Sequence, residues 1–107
     1  MRETQNIEYK TIWKDEYLKW ICGFANAQGG IIYIGKDDDG NVVGVNDLKK
    51  LSEDIPNKVR DVLGIMVDVN IHEDNGVEYL EINVPPYTNP INYKVSIIIV
   101  LVVRNKS

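Results

Sequence analysis

Residues 24–45 read Phe-Ala-Asn-Ala-Gln-Gly-Gly-Ile-Ile-Tyr-Ile-Gly-Lys-Asp-Asp-Asp-Gly-Asn-Val-Val-Gly-Val. Gly29 and Gly30 predict a helix end here, because a left-handed terminal residue costs glycine less than any other residue. Residues 31–35 are apolar on both faces, which is typical of a central strand. Asp39 and Gly40 form a hairpin turn signal, and residues 42–45 are predicted to return as the partner strand.

The segments on either side of this stretch predict two helical regions. Apolar residues recur at helical spacing from Leu18 to about Ala27, and Asp15 is placed as an N-cap or first-turn acid. A second apolar series runs over residues 48–63. Pro56 lies inside that series and removes an amide donor, so two short helices and one bent helix are both compatible with it.

Two further segments predict strands. Residues 7–10 alternate apolar and charged side chains, which indicates a strand with one buried face. Residues 66–72 and 77–84 alternate on either side of Asp74-Asn75-Gly76 and predict a second hairpin. The resulting order is strand, helix, strand, strand, helix, strand, strand. It predicts an α+β fold, with a mixed, mostly antiparallel sheet built from hairpins and two helical regions packed on it.

Length and composition limit the functional classes. A chain of 107 residues with 44% hydrophobic content predicts one domain with a single core. A net charge of −4 and a pI near 4.9 argue against a binder driven mainly by phosphate neutralisation. Lys10, Lys14, Lys19 and Lys36 lie in the first third of the chain, so a local basic patch remains compatible with these totals.

Cysteine content and apolar runs bear on location. Cys22 is the one cysteine, which excludes an internal disulfide, and its apolar helical setting predicts a buried thiol. The first residues contain no signal-peptide run. The longest apolar run, residues 97–103, is far shorter than the roughly 20 residues that span a bilayer. We therefore expect a cytoplasmic protein with no membrane role.

Three segments resemble the Schlafen AlbA_2 domain family, over residues 3 to about 94. Residues 3–10, Glu-Thr-Gln-Asn-Ile-Glu-Tyr-Lys, are similar to the family opening Glu-Ser-x-x-x-Glu-Phe-Lys. Residues 21–40 are similar to its most specific signature, Ala-Phe-Ala-Asn-x-x-Gly-Gly followed by a strand and Gly-Val-x-Asp, with Gly23 in place of the usual alanine. Val84-Pro85-Pro86-Tyr87 followed by Pro90 is a third, less distinctive match.

The resemblance implies a function and a context. It implies a nucleic-acid-binding module, DNA being the first choice over RNA, within a bacterial transcriptional regulator or helicase-related protein. No cofactor is expected for such a module. In relatives the domain precedes other domains, so we expect this chain to be a fragment or a truncated product.

The C-terminal segment departs from the family. After Tyr93 and Lys94 the family continues with a tyrosine-rich strand and Arg-Ser-Gly-Ser-Thr, whereas residues 95–103 read Val-Ser-Ile-Ile-Ile-Val-Leu-Val-Val. Removing one G from GGU AAG UAU UAU UAU CGU UCU GGU AGU ACG, which encodes Gly-Lys-Tyr-Tyr-Tyr-Arg-Ser-Gly-Ser-Thr, yields codons for those nine residues. Our hypothesis is a single-base deletion in the genome or the clone. Residues 1–94 then form the AlbA_2-like domain, and residues 95–107 form its atypical C-terminal strand and tail.

The altered tail suggests two consequences. Its apolar strand would favour edge-to-edge pairing, so a homodimer formed through it is expected. The lost Arg-Ser-Gly-Ser-Thr offers groups suited to phosphate oxygens, so a folded but inactive product is one alternative for the whole chain.

Candidate nucleic-acid contacts follow from side-chain chemistry. Lysines can pair with phosphate, and aromatic rings can stack on bases or pack on the sheet. Asn26 either hydrogen-bonds the glycine turn or faces a ligand. The predicted contacts are Lys10, Lys14, Lys36, Trp13 and Asn26, with Tyr9 as a further stacking candidate.

A nuclease is the alternative function. Glu3, Glu8 and Asp37 match, by spacing, the two glutamates and one aspartate of RNA-cleaving Schlafen members. Carboxylates of this kind hold Mg²⁺ or Mn²⁺, which can activate water against a phosphodiester. The structural alternative is that Glu3 is a terminal acid, Glu8 pairs with a lysine and Asp37 caps a turn. Residues 35–40 lack the Walker spacing, which argues against ATP binding.

Overall fold

The computed structural model describes residues 6–88, which form a four-stranded sheet with helices on one face. The elements are β1 (Ile7–Lys10), a 3-10 helix (Asp15–Tyr17), α1 (Leu18–Ala25), β2 (Gly30–Ile34), α2 (Leu48–Leu63), β3 (Asp68–Asp74) and β4 (Val77–Val84). Glu3, the C-terminal strand and the homodimer predicted through that strand lie outside the described residues. Neither helix of residues 6–88 is long and apolar enough to cross a membrane.

The sheet has the strand order β1-β2-β4-β3. β1 pairs with β2 in parallel, whereas β4 runs antiparallel to both β2 and β3. The predicted α+β class and mixed, mostly antiparallel sheet are therefore confirmed. The register places Tyr9 opposite Tyr33, Tyr33 opposite Glu81, and His72 opposite Tyr79.

One face of the sheet carries the hydrophobic core. Alternate residues of β2 and β4 point toward the helices, because successive side chains of a strand face opposite sides. Ile32, Ile34, Leu80 and Ile82 are at most 1% exposed, and they belong to the same buried cluster as residues of α1 and α2. Cys22 on α1 is buried in that cluster, as predicted from its apolar setting.

The glycine pair joins α1 to β2 as predicted. Gly29 has φ +84°, and its N–H donates to the Phe24 carbonyl at 2.8 Å. A Cβ on Gly29 would lie 2.6 Å from the Val84 carbonyl oxygen. A Cβ on Gly30 would lie 2.6 Å from two ring carbons of Phe24. Both positions therefore need glycine for close packing, and Gly29 needs it for its backbone conformation as well.

The prediction that residues 31–35 and 42–45 form a hairpin is wrong. The antiparallel partner of β2 is β4, and residues 42–45 form no strand beyond a single bridge between Lys36 and Val42. The Gly35 carbonyl accepts the N–H groups of Val43 and Gly44 at 2.7 and 3.0 Å, which closes a tight loop. Since β1 and β4 already occupy both edges of β2, the returning segment has no edge left to pair with.

The other local expectations have mixed outcomes. The β3–β4 hairpin is confirmed, and it turns at Asn75 and Gly76, whose φ values are 54° and 81°. Pro56 does not split α2, which runs as one helix of 16 residues. Since proline has no N–H, the Ser52 carbonyl lacks its ordinary helical donor at that turn.

The Val84-Pro85-Pro86-Tyr87 segment fastens the end of β4 to the rest of the domain. The Tyr87 hydroxyl accepts the Met66 N–H at 2.9 Å and donates to the Met66 carbonyl at 3.0 Å. The Tyr87 N–H donates to the Ala25 carbonyl at the end of α1 at 2.8 Å. This motif therefore has a structural role between β4, α1 and the segment before β3.

Candidate nucleic-acid interface

The second face of the sheet carries a continuous line of rings. Tyr9, Tyr33, Tyr79 and His72 come from β1, β2, β4 and β3, respectively, so the line crosses all four strands. Successive ring centroids are 5.8, 6.0 and 5.4 Å apart. The three tyrosines are half-buried and His72 is exposed. We call these four residues the aromatic row and the face that carries them the open face.

Lys36 places a cation against the aromatic row. Its Nζ lies 4.0 Å from the ring centroid of Tyr33, 4.7 Å from that of Tyr79 and 5.7 Å from that of Tyr9. An ammonium within about 6 Å of an aromatic centroid is attracted by the ring quadrupole. Lys36 follows directly after β2 and Gly35, and its N–H is 3.2 Å from the Lys10 carbonyl.

Glu81 supplies negative charge beside the row. Its Oε1 lies 2.9 Å from His72 Nε2 and accepts from Asn70 Nδ2 at 3.3 Å. The hydrogen bond from His72 is the main cause that lowers the pKa of Glu81. Burial within the row raises the pKa of Tyr33, and the Glu81 carboxylate adds to that increase. Tyr33 is therefore a neutral phenol at physiological pH.

A loop borders the row at the end of β2. The Asp37 Oδ1 accepts the N–H groups of Asp39 and Asn41, both at 2.9 Å, and its Oδ2 accepts from Asn41 Nδ2 at 3.3 Å. The bond from the Asn41 N–H is the main cause that lowers the pKa of Asp37. Gly40 faces the Tyr9 ring, since a Cβ on Gly40 would lie 3.4 Å from the Tyr9 Cζ. Asp37 thus shapes a loop that packs on the row.

The predicted three-carboxylate site remains a prediction, because Glu3 lies outside the described residues. Glu8 pairs with Ile32, so strand alternation places it on the helix side of the sheet. Asp37 lies in the loop after β2 and hydrogen-bonds within that loop. Within residues 6–88, no three His, Cys, Asp or Glu side chains are grouped closely enough to hold a metal ion.

The other predicted contacts do not gather around the row. Lys10 points to the helix side, where its Nζ lies 5.0 Å from the Tyr17 ring centroid and 5.5 Å from that of Trp20. Trp13 packs edge-on against Tyr17, with centroids 5.8 Å apart. Lys14 is exposed at the start of the 3-10 helix.

Asn26 follows α1 at its C-terminal end, where its Nδ2 lies 3.6 Å from the Cys22 Sγ. A hydrogen bond to the glycine turn comes from Asn6, whose Nδ2 donates to the Gly29 carbonyl at 2.9 Å. Of the predicted contacts, Lys36 and Tyr9 are thus the two that meet on the open face.

Sequence reasoning missed three members of the row, namely Tyr33, Tyr79 and His72. Within its own strand, each of them alternates with the residues that face the helices. Strand alternation could therefore have placed all three on the open face. Their meeting depends on the pairing of β2 with β4. The sequence analysis paired β2 with residues 42–45 instead, so it did not bring these side chains together.

This chain is an α+β domain with a four-stranded mixed sheet. In the described residues, helices cover one face of the sheet and the aromatic row lies on the other, uncovered face. The chain belongs to the Schlafen AlbA_2 family, whose model matches residues 3–107. This match confirms the family resemblance of the three sequence segments. Among curated proteins, none matches this chain.

Two solved structures are similar to this fold. One is the N-terminal domain of a protein from Nitrosomonas europaea that is related to the ATP-dependent DNA helicase RecG. It aligns with a TM-score of 0.70 and 23% identity, over 88% of this chain and 73% of that domain. The other is the DIP2311 protein of Corynebacterium diphtheriae, with a TM-score of 0.63, 20% identity, and coverage of 90% of this chain and 20% of that protein. At these identities the similarity concerns the fold.

Proposed function

We propose that this domain binds nucleic acid through the open face of its sheet. The observation that carries the proposal is the aromatic row together with the Lys36 ammonium, which lies within 5.7 Å of three of its rings. Base stacking on aromatic side chains contributes about 1–3 kcal/mol per base and requires no particular sequence. Lys36 can in addition pair with a backbone phosphate.

Membership of the Schlafen AlbA_2 family supports this proposal, because the resemblance implies a nucleic-acid-binding module. The fold is shared with the N-terminal domain of a RecG-related protein, which fits a place beside helicase machinery. We therefore extend the proposal to a cytoplasmic, DNA-binding module of a bacterial transcriptional regulator or helicase-related protein.

Fluorescence anisotropy with labelled oligonucleotides at low salt tests the proposal. The wild-type chain should bind, whereas Lys36→Ala and Tyr33→Ala should weaken binding. Lys49→Ala is the matched control, because it removes the same charge from the exposed surface of α2, on the other side of the sheet. Equal losses for Lys36→Ala and Lys49→Ala would show non-specific charge attraction and contradict the assignment of the face.

The same assay separates the alternative functions. With Mg²⁺ or Mn²⁺ added, a pure binding module should leave the oligonucleotide intact. Cleavage that Glu8→Ala abolishes would instead establish the nuclease with Glu3, Glu8 and Asp37. Binding that is absent in this chain and restored by a family-like sequence in place of residues 95–107 would establish the folded but inactive product.

A further inference from the structure

We infer that the open face takes single-stranded nucleic acid, with two or three consecutive bases stacked on the aromatic row. The inference rests on the proposed function and specifies its ligand. A single strand and a duplex differ in the groups that they expose to a protein. A single strand can turn its bases toward a protein, whereas a duplex keeps its bases paired and presents its phosphates.

The spacing of the rings is the first argument. The aromatic row steps across the sheet at 5.4 to 6.0 Å per ring, one ring from each strand. Four-stranded sheets that bind single-stranded RNA use aromatic side chains on one face to stack about two or three bases. Bases inside a duplex are stacked on each other, so they can reach such a row only after unpairing, which costs a few kcal/mol per base.

The charges on the open face are the second argument. Glu81 lies within the row, and alternation places Asp68 and Asp74 of β3 on the same face. The acidic loop of residues 37–39 lies beside the row at the end of β2. A duplex laid on this face would bring many phosphates against these carboxylates. Stacking of bases requires no net positive charge, so a single strand can use the rings while its phosphates stay away from Glu81.

The position of Lys36 is the third argument. Its ammonium lies over Tyr33 and near Tyr79, close to the centre of the row. One lysine among the rings can pair with a phosphate between two stacked bases. Lys36 thus offers one charged phosphate contact, far fewer than the 6–10 contacts that make duplex binders steeply salt-dependent.

Binding isotherms for three probes test the inference, namely labelled oligonucleotides of oligo(dT), oligo(U) and a mixed-sequence duplex, each about 12 nucleotides or base pairs long. Both single strands should bind at least about tenfold more tightly than the duplex. The slope of log K against log salt should lie near about −0.7, as expected for one phosphate contact. The ratio of the two single-strand affinities gives the preference between DNA and RNA.

Variants of the row make the test specific. Tyr33→Ala and Tyr79→Ala should each weaken single-strand binding by roughly 5- to 150-fold, whereas Tyr33→Phe should bind like the wild type because the ring remains. Lys36→Ala should reduce the salt slope by about 0.7. Circular dichroism establishes whether each variant is folded. If an alanine variant is misfolded, the affinity of Tyr33→Phe and the salt slope of Lys36→Ala remain as the tests of the inference.

The failures of the two proposals are distinguishable. Duplex binding as tight as single-strand binding, with the same loss in Lys36→Ala, would support nucleic-acid binding by the open face and overturn the single-strand inference. Binding of none of the three probes would overturn both proposals. A wild-type single-strand affinity in the folded Tyr33→Ala and Tyr79→Ala variants would also overturn the inference.

Discussion

Gly29 and Gly23 lie six residues apart and meet opposite surroundings. Gly29 has φ +84° and would bring a Cβ within 2.6 Å of the Val84 carbonyl oxygen. Gly23 lies within α1, where an added Cβ meets no heavy atom within 4 Å. One glycine is therefore required by its contacts, whereas the other weakens a helix in which alanine is the better residue.

Two alanine substitutions test this difference. Gly29→Ala should lower the free energy of unfolding by at least about 1–2 kcal/mol, because a left-handed conformation alone costs that much for an L-residue. Gly23→Ala should raise it by about 0.5–1 kcal/mol, through better helix propensity. Urea denaturation measures both. A neutral Gly29→Ala would contradict the close approach of Gly29 to β4.

The residues that form turns could be predicted from the sequence, whereas the aromatic row could be predicted only in part. Gly29, Gly30 and the Asn75-Gly76 turn depend on local backbone geometry, which neighbouring residues specify. The contact between Tyr33 and Tyr79 depends on the register between β2 and β4, which are separated by a helix and a strand. No local pattern specifies that register, so Lys36 and Tyr9 were identified without their partners.

At the scale of elements, Asp15 connects the 3-10 helix to α2. Its carboxylate accepts from Lys58 Nζ at 2.8 and 3.0 Å and from Trp13 Nε1 at 2.8 Å. The hydrogen bond from Lys58 is the main cause that lowers the pKa of Asp15 below its ordinary value of 3.8. Both side chains of the ion pair are largely solvent-exposed, so water and salt screen the interaction.

The lowered pKa predicts a pH dependence of stability. A carboxylate with a lowered pKa in the folded state stabilises the protein above its unfolded pKa, and this contribution is lost as the pH falls through the folded pKa. Asp15→Asn should therefore lower the free energy of unfolding by up to about 1 kcal/mol at pH 7. The difference from the wild type should shrink as the pH falls below 3.8.

Urea denaturation from pH 7 to pH 3 measures this effect. Asp38→Asn is the control, since it removes a carboxylate from an exposed loop position. A stability difference for Asp15→Asn that stays constant over this range would show that the loss comes from packing rather than from the charge.

The elements themselves were largely predictable, but their pairing was not. Hydrophobic periodicity located both helical regions and the strands that became β1 to β4. The Asp39-Gly40 turn signal paired residues 42–45 with β2, whose antiparallel partner is instead β4. Of the two alternatives that Pro56 left open, two short helices are excluded, because α2 is one helix with Ile55 and Val59 on its buried side packed in the core. Tertiary packing decided both points.

For the whole molecule, the two faces of the sheet separate stability from proposed binding. The helix-covered face contains the buried cluster, whereas the open face carries half-buried tyrosines, Lys36 and the His72–Glu81 pair. A substitution of Tyr33 can therefore change binding without opening the core. The origin of residues 95–107 is a separate question, which the nucleotide sequence of the source locus decides.

Amide chemical-shift mapping with an unlabelled oligo(dT) strand reports directly whether nucleic acid contacts the open face. Such contact should give the largest shifts at Tyr9, Tyr33, Lys36, Tyr79 and His72, with little change along α2. Shifts concentrated on α1 or α2, or no shifts at an oligonucleotide excess that saturates binding in the anisotropy assay, would contradict the proposed contact.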